Sequence, residues 1–331
     1  MINALTVTNY LGESLRIDLF DPDPSGFIVQ KIDGLGPVKA TLNFTEFATL
    51  DGAIDNLARK NTRNIVIYLI FQEHSSIEDT RQLTYKYFPV KKTVNLSIET
   101  DNRTCVTTGR VESNDPDIFN EQEGCQISIV CSDPYMYSPA DKKTITYYSR
   151  VVGLFEFPFS SDGISGYQSD GQSYNTQSYP IEFGASYTIY ENAIWYDGDA
   201  DTGILIKMIF NGDLGSSDVI YIYQQEVREY FAINNNKVIL PTGLNGTNEI
   251  GIKKNDIIYI NTKRGHKGIT LIRNGVYYNV INSIYRESSW FQLNKGINTI
   301  MFNVLDGQGQ ASGNASLIEF LIENDTIYEG V

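Results

Sequence analysis

Asn64-Ile65-Val66-Ile67-Tyr68-Leu69-Ile70-Phe71 is the stretch on which the fold turns: after Asn64 every residue is apolar or aromatic. It is too short for a buried helix and rich in β-branched residues, so it reads as a strand apolar on both faces. On either side of it, Thr93-Val94-Asn95-Leu96-Ser97-Ile98 and Gln126-Ile127-Ser128-Ile129-Val130 alternate apolar and polar residues, the period of a half-buried strand. Asp51-Gly52 and Asn274-Gly275 each lie between β-rich runs and tolerate positive φ, which makes them candidate hairpin turns. The chain is mainly β.

One helix interrupts the pattern. Ser76-Ile77-Glu78-Asp79 resembles a capping box, and Thr80 to Phe88 then sets Leu83 and Tyr87 four apart on one helical face before Pro89 stops it. Phe47 to Asn61 is open to two readings. Ile54, Leu57 and Ala58 have helical spacing, whereas Gly52 favours a hairpin. Around residues 132–153, Asp133-Pro134-Tyr135 and Ser138-Pro139 punctuate the chain, and 16 of the 22 tyrosines lie from Tyr147 onward. This places one unit at 1–135, a linker at 136–150, and a second unit of stacked antiparallel sheets at 151–331. Its expected strands include 203–210, 219–223, 257–262, 269–273 and 299–305. The run SSDGISGYQSDGQSYNTQSYP at 160–180 is too polar and Gly/Ser-rich for a core and reads as an exposed loop.

A length of 331 residues suits two folding units, and no apolar stretch approaches a membrane span. The opening Met1 to Thr6 lacks the basic flank and apolar run of a secretory signal, so folding in the cytosol is the expectation. Cys105, Cys125 and Cys131 are odd in number and form no C-x-x-C pair, which fits buried, reduced thiols. With 26 basic against 40 acidic groups the chain carries −14, a charge that repels phosphate backbones. Tight nucleic-acid binding is therefore disfavoured.

Catalytic chemistry finds little support. The two histidines, His74 near the helix start and His266 in Gly265-His266-Lys267-Gly268, sit in turn contexts, and no G-x-S-x-G elbow, phosphate loop or dinucleotide fingerprint occurs. Asp197-Gly198-Asp199-Ala200-Asp201-Thr202-Gly203 begins like a calcium loop but has Thr202 at the sixth position and Met208 at the twelfth. We expect no metal, no cofactor and no catalytic residue. Trp195, Trp290 and exposed tyrosines, among them Tyr167, Tyr174 and Tyr179, could stack on sugar rings or contact a partner, although most aromatics in such a chain are packing residues.

The order of the motifs says more than any one of them. Ile32-Asp33-Gly34-Leu35-Gly36-Pro37, Asp51-Gly52, Arg63-Asn64-Ile65, Arg81-Gln82-Leu83-Thr84-Tyr85 with Tyr87-Phe88-Pro89, and Ile127-Ser128-Ile129-Val130-Cys131-Ser132-Asp133-Pro134-Tyr135 resemble the N-terminal domain of siphophage distal tail proteins. Phe155-Glu156-Phe157-Pro158, Gly198 to Gly203, Asp256 to Thr262, and Ser289-Trp290-Phe291-Gln292-Leu293 followed by Gly296-Ile297-Asn298 are similar to its second half.

The resemblance implies a two-domain, non-enzymatic virion protein. Its parts would be an N-terminal β-sandwich with one short helix and a C-terminal galectin-like antiparallel β-sandwich, the label concerning fold only. It implies a homo-oligomeric ring, commonly a hexamer, in the virion tail, assembled in the host cytoplasm. The ring would join the tail tube protein to the tail-tip protein, carry receptor-binding components, and pass DNA through its lumen without holding it. On this reading Gly34, Gly36, Asp51 and Gly52 shape turns, while Arg63 and Arg81 tie strand or subunit edges through bidentate carboxylate contacts. The competing reading is a carbohydrate-binding cell-surface adhesion module.

Overall fold

The structure, a computed structural model, describes residues 1–47, 51–72, 76–119, 122–140, 143–147, 149–150, 187–188, 191–241 and 248–331. His74, the 160–180 run with Tyr167, Tyr174 and Tyr179, and the Phe155 motif lie outside them. The described residues are mainly β with one α-helix, as the sequence predicts.

The first part of the chain forms β1 (Ile2–Thr8), β2 (Ser14–Asp18), β3 (Phe27–Asp33), β4 (Ala40–Glu46), β5 (Ala53–Lys60) and β6 (Arg63–Phe71). Then come α1 (Ile77–Tyr87), β7 (Thr93–Thr100), β8 (Thr104–Asp117), β9 (Gly124–Cys131) and β10 (Met136–Tyr137). One antiparallel sheet runs in the order β2-β1-β7-β8-β9-β6-β3. In β6 the residues Arg63, Ile65, Ile67, Leu69 and Phe71 point into the core, and Val66, Tyr68 and Ile70 are half-buried on the other face. Burial of the β6 run is thus complete on one side only. The core joins these residues to Leu5, Val7, Phe27, Leu96, Ile98, Ile127 and Ile129.

Helix α1 starts three residues earlier than its apolar spacing suggests, because Ser76 is the N-cap. The Ser76 hydroxyl accepts from Asp79 N–H at 3.1 Å, with Glu78 and Asp79 favourably placed in the first turn. Leu83 and Tyr87 pack against the core as their spacing predicts. Asn114 closes the other end by donating to the carbonyls of Thr84 and Phe88.

The second part contains β11 (Thr144–Tyr147), β12 (Ser149–Arg150), β13 (Tyr187–Thr188), β14 (Glu191–Tyr196), β15 (Ile204–Phe210), β16 (Val219–Gln224) and β17 (Glu229–Asn234). It continues with β18 (Ile239–Pro241), β19 (Asn248–Ile250), β20 (Ile257–Asn261), β21 (Gly268–Arg273), β22 (Val276–Asn279), β23 (Gly296–Leu305), β24 (Ile318–Asn324) and β25 (Ile327–Tyr328). Two sheets, β11-β24-β15-β20-β21-β22 and β14-β23-β16-β17, enclose a second core. The stacked rings of Phe302 on β23 and Phe320 on β24, 4.5 Å apart, join them. Asn274 and Gly275 both take positive φ in the two-residue turn between β21 and β22, the geometry such a hairpin requires.

The chain then returns to the first unit. β25 pairs with β10, which itself pairs with β8. Asp199, in the Asp-rich turn that resembles a calcium loop, accepts from Arg103 at 3.1 Å and from Glu329 N–H at 3.2 Å. Its carboxylate fastens the two units together.

All three cysteines are buried and unpaired. Burial pushes the Cys125 thiol up to about 12, and raises Cys105 and Cys131 as well. Native protein at pH 8 should therefore leave a colourimetric disulfide reagent unreacted for minutes and titrate three thiols only after denaturation. A fast native thiol would contradict this packing.

Candidate assembly surface

Strands β4 and β5 belong to none of the three larger sheets; they form a separate two-stranded arm. Asp51 and Gly52 lie at its tip, and Gly52 adopts φ +93° with open space where a side chain would stand. Glycine there serves backbone conformation rather than close approach. The register slips between Asn43 and Phe44, which leaves Asn56 as an extra residue on β5. Leu42, Phe44, Ala53 and Ala58 consequently share one face, and Ile54 and Leu57 the other.

Neither face is covered. Phe44 is 55% and Leu57 75% exposed, and Leu42, Phe47 and Ile54 are similarly open. A lone two-stranded hairpin is marginal in water, and large apolar side chains displayed on both of its faces mark it as a contact element.

The root of the arm is rigid, and Arg63 is the reason. Its guanidinium, 1% exposed, occupies a core-facing position at the start of β6. All five of its N–H groups are used. Nη1 donates to Gly34 O (2.6 Å) and Gly36 O (2.8 Å), Nε and Nη2 donate to Pro134 O (2.9 and 2.8 Å), and Nη2 also donates to Glu329 O (2.7 Å). The sequence suggests a carboxylate partner here; the acceptors are backbone carbonyls of the same chain. Burial pulls the guanidinium below its ordinary pKa, opposed by the nearby thiols and by Asp133 and Glu329. It stays cationic, since arginine does not deprotonate in proteins. One side chain thus binds the approach to the arm, the junction after β9, and the segment after β25.

Neighbouring contacts reinforce the node. Lys60 at the end of the arm pairs with the Glu329 carboxylate and lies 4.6 Å from the centre of the Tyr135 ring. Val331 N–H donates to Leu35 O at 3.1 Å. Gly34 has φ +85°, and a Cβ on it would stand 1.9 Å from Asn64 O, so the turn can lie against β6 only as glycine. Gly36 differs, with nothing within 4 Å of the added atom; its contribution is its carbonyl. Gly34→Ala should cost about 3 kcal/mol or more in denaturant titration, whereas Gly36→Ala should stay within about 0.5 kcal/mol. Equal effects would remove the distinction.

Arg81 joins helix α1 to Glu123 (3.4 Å) and pairs with Glu78 of the same helix (3.7 Å), through single contacts rather than a bidentate fork. Trp195 on β14 is 69% exposed. Trp290 instead turns edge-on to Phe231, 5.1 Å between ring centres, and packs against the second core. Two features gave no signal in the sequence. One is the return of residues 327–331 to the first unit. The other is the pairing of Arg273 with the buried Asp256 in the second, with contacts of 2.9 and 2.5 Å.

The described residues thus form an antiparallel sheet with one helix and a separate hairpin, followed by a two-sheet sandwich whose last strand returns to the first sheet. The Dit protein of phage SPP1, described as a paradigm of the hub adsorption apparatus in phages infecting Gram-positive bacteria, shares this fold. The match covers 98% of both chains with a TM-score of 0.57 at 11% identity. A chain of the phage P2 baseplate in its activated conformation with Ca aligns over 98% of both chains at a TM-score of 0.43 and 12% identity. No family model and no curated protein matches the sequence. No helix among the described residues is long and apolar enough to cross a membrane.

Proposed function

We propose that this chain is a structural, non-enzymatic component of a phage tail hub. Copies close into a ring, commonly of six, at the distal end of the tail tube. Residues 1–135 build the ring, 136–150 link, and 151–331 project outward as a galectin-like adaptor sandwich. The observation that carries this reading is the arm: a hairpin with apolar residues on both faces, held by a fixed root, in a chain whose fold matches a hub protein from end to end. In the ring each arm lies on the neighbouring copy, which covers its apolar faces and pairs otherwise unsatisfied strand edges.

The tube protein would dock above the ring, the tail-tip protein below it, and receptor-binding components outside. At −14 per copy the ring presents an acidic surround through which DNA passes without the counterion-release affinity that a basic one would generate. Immunogold labelling of intact particles with antibody to this chain tests the placement. Label confined to the tail end distal from the capsid is the expected result; label on the capsid or none on particles would overturn it.

A further inference from the structure

The four-stranded sheet of the second unit has an open face, and across β16 and β17 it carries a trough of about 660 Å³, within the range of small-molecule sites. The sequence builds it simply. Tyr223 pairs with Tyr230 and Tyr221 with Ala232, so a small residue stands among large ones and leaves a floor. Tyr221 stacks on Tyr230 at 5.2 Å and on Tyr223 at 6.4 Å, forming one wall of near-parallel rings.

The second wall is residues 284–289, held to the edge of β17. Tyr285 N–H donates to Ala232 O (3.0 Å), Ala232 N–H donates to Ser288 Oγ (3.0 Å), and Ser289 N–H donates to Tyr230 O (2.8 Å). This clamp brings Tyr285 and Glu287 to the trough. The turn after β23 closes a third side with Asp306, whose Oδ1 accepts from Gln308 and Gln310 N–H.

Aromatic rings, carboxylates and the amides of Asn234 and Asn236 make a lining suited to one chemistry. A sugar ring offers apolar C–H faces to aromatics and a belt of hydroxyls to carboxylates and amides. The lining itself carries two carboxylates and no cation; Lys237 lies just outside it, with Nζ 5.7 Å from the centre of the Tyr285 ring, so one cation against two carboxylates leaves the trough acidic and disfavours phosphate-bearing polymers. The geometry points to a binding site for a neutral, hydroxyl-rich oligosaccharide. The site does not use Trp290, whose ring is turned to the core, and Trp195 lies on another strand outside the lining.

The test uses the full chain on an array of neutral oligosaccharides and phosphate-bearing glycopolymers, with saturation-transfer NMR on the neutral ones it retains. Asn236→Trp fills the trough from an exposed position, and Tyr230→Ala removes a wall. Binding of neutral oligosaccharides, weakened at least tenfold in both variants, is the expected result. The site is overturned if no neutral saccharide binds, if either variant keeps affinity within twofold, or if phosphate-bearing polymers are preferred. Native mass, measured on the same samples, separates this outcome from the hub reading, which stands if rings form without sugar binding.

Discussion

Replacing Arg63 with methionine, similar in length but without donors, should destabilise the first unit by about 4 kcal/mol or more, because the carbonyls of four residues lose a cationic donor and a hydrogen bond to a charged group is worth about 1.5–3 kcal/mol. Lysine should rescue only part of this loss. Its ammonium offers three donors from one point, whereas the acceptors are spread around a planar fork. The measurement is chemical denaturation followed by circular dichroism and tyrosine fluorescence. A loss below about 1 kcal/mol for methionine would show that water or a neighbouring group replaces the fork. The four carbonyls belong to Gly34, Gly36, Pro134 and Glu329, so the same substitution should loosen the arm root and the junction between units together. Hydrogen exchange at Asn61, whose N–H donates to Lys39 O, should accelerate in step with exchange at Val331.

The second large effect concerns assembly. Phe44→Glu with Leu57→Glu places a charge on each face of the arm and should weaken association at least a hundredfold, since each lost apolar contact is worth about 1.5–3 kcal/mol. The monomer should fold normally, because neither side chain belongs to a core. Sedimentation at matched concentrations reads the first effect, and circular dichroism the second. Single variants then tell which face the neighbour covers. Undiminished assembly in the double variant would remove the arm from the interface.

The sequence reveals the elements whose causes are local. Ser76 marks a helix start because its hydroxyl caps the next turn, and Asn274-Gly275 marks a hairpin because both residues must take positive φ. The Phe47–Asn61 ambiguity has a structural explanation. The bulge at Asn56 breaks the two-residue period, so Ile54 and Leu57, three apart, share one strand face and imitate helical spacing. Arg63 was visible as a candidate, but not its acceptors. Carbonyls 27 to 266 residues away carry no side-chain signature, and a guanidinium at a strand end suggests a carboxylate partner by default. Similarly, nothing in Tyr285 to Ser289 announces that this segment will lie along β17. Tertiary placement alone makes it a wall.

The ring is the centre of this account, and the native mass of the purified chain by light scattering, with negative-stain imaging of the same sample, tests it most directly. A closed assembly of about six copies around a central channel is the predicted result. A particle that stays monomeric at high concentration, even with the tail tube protein added, would contradict it.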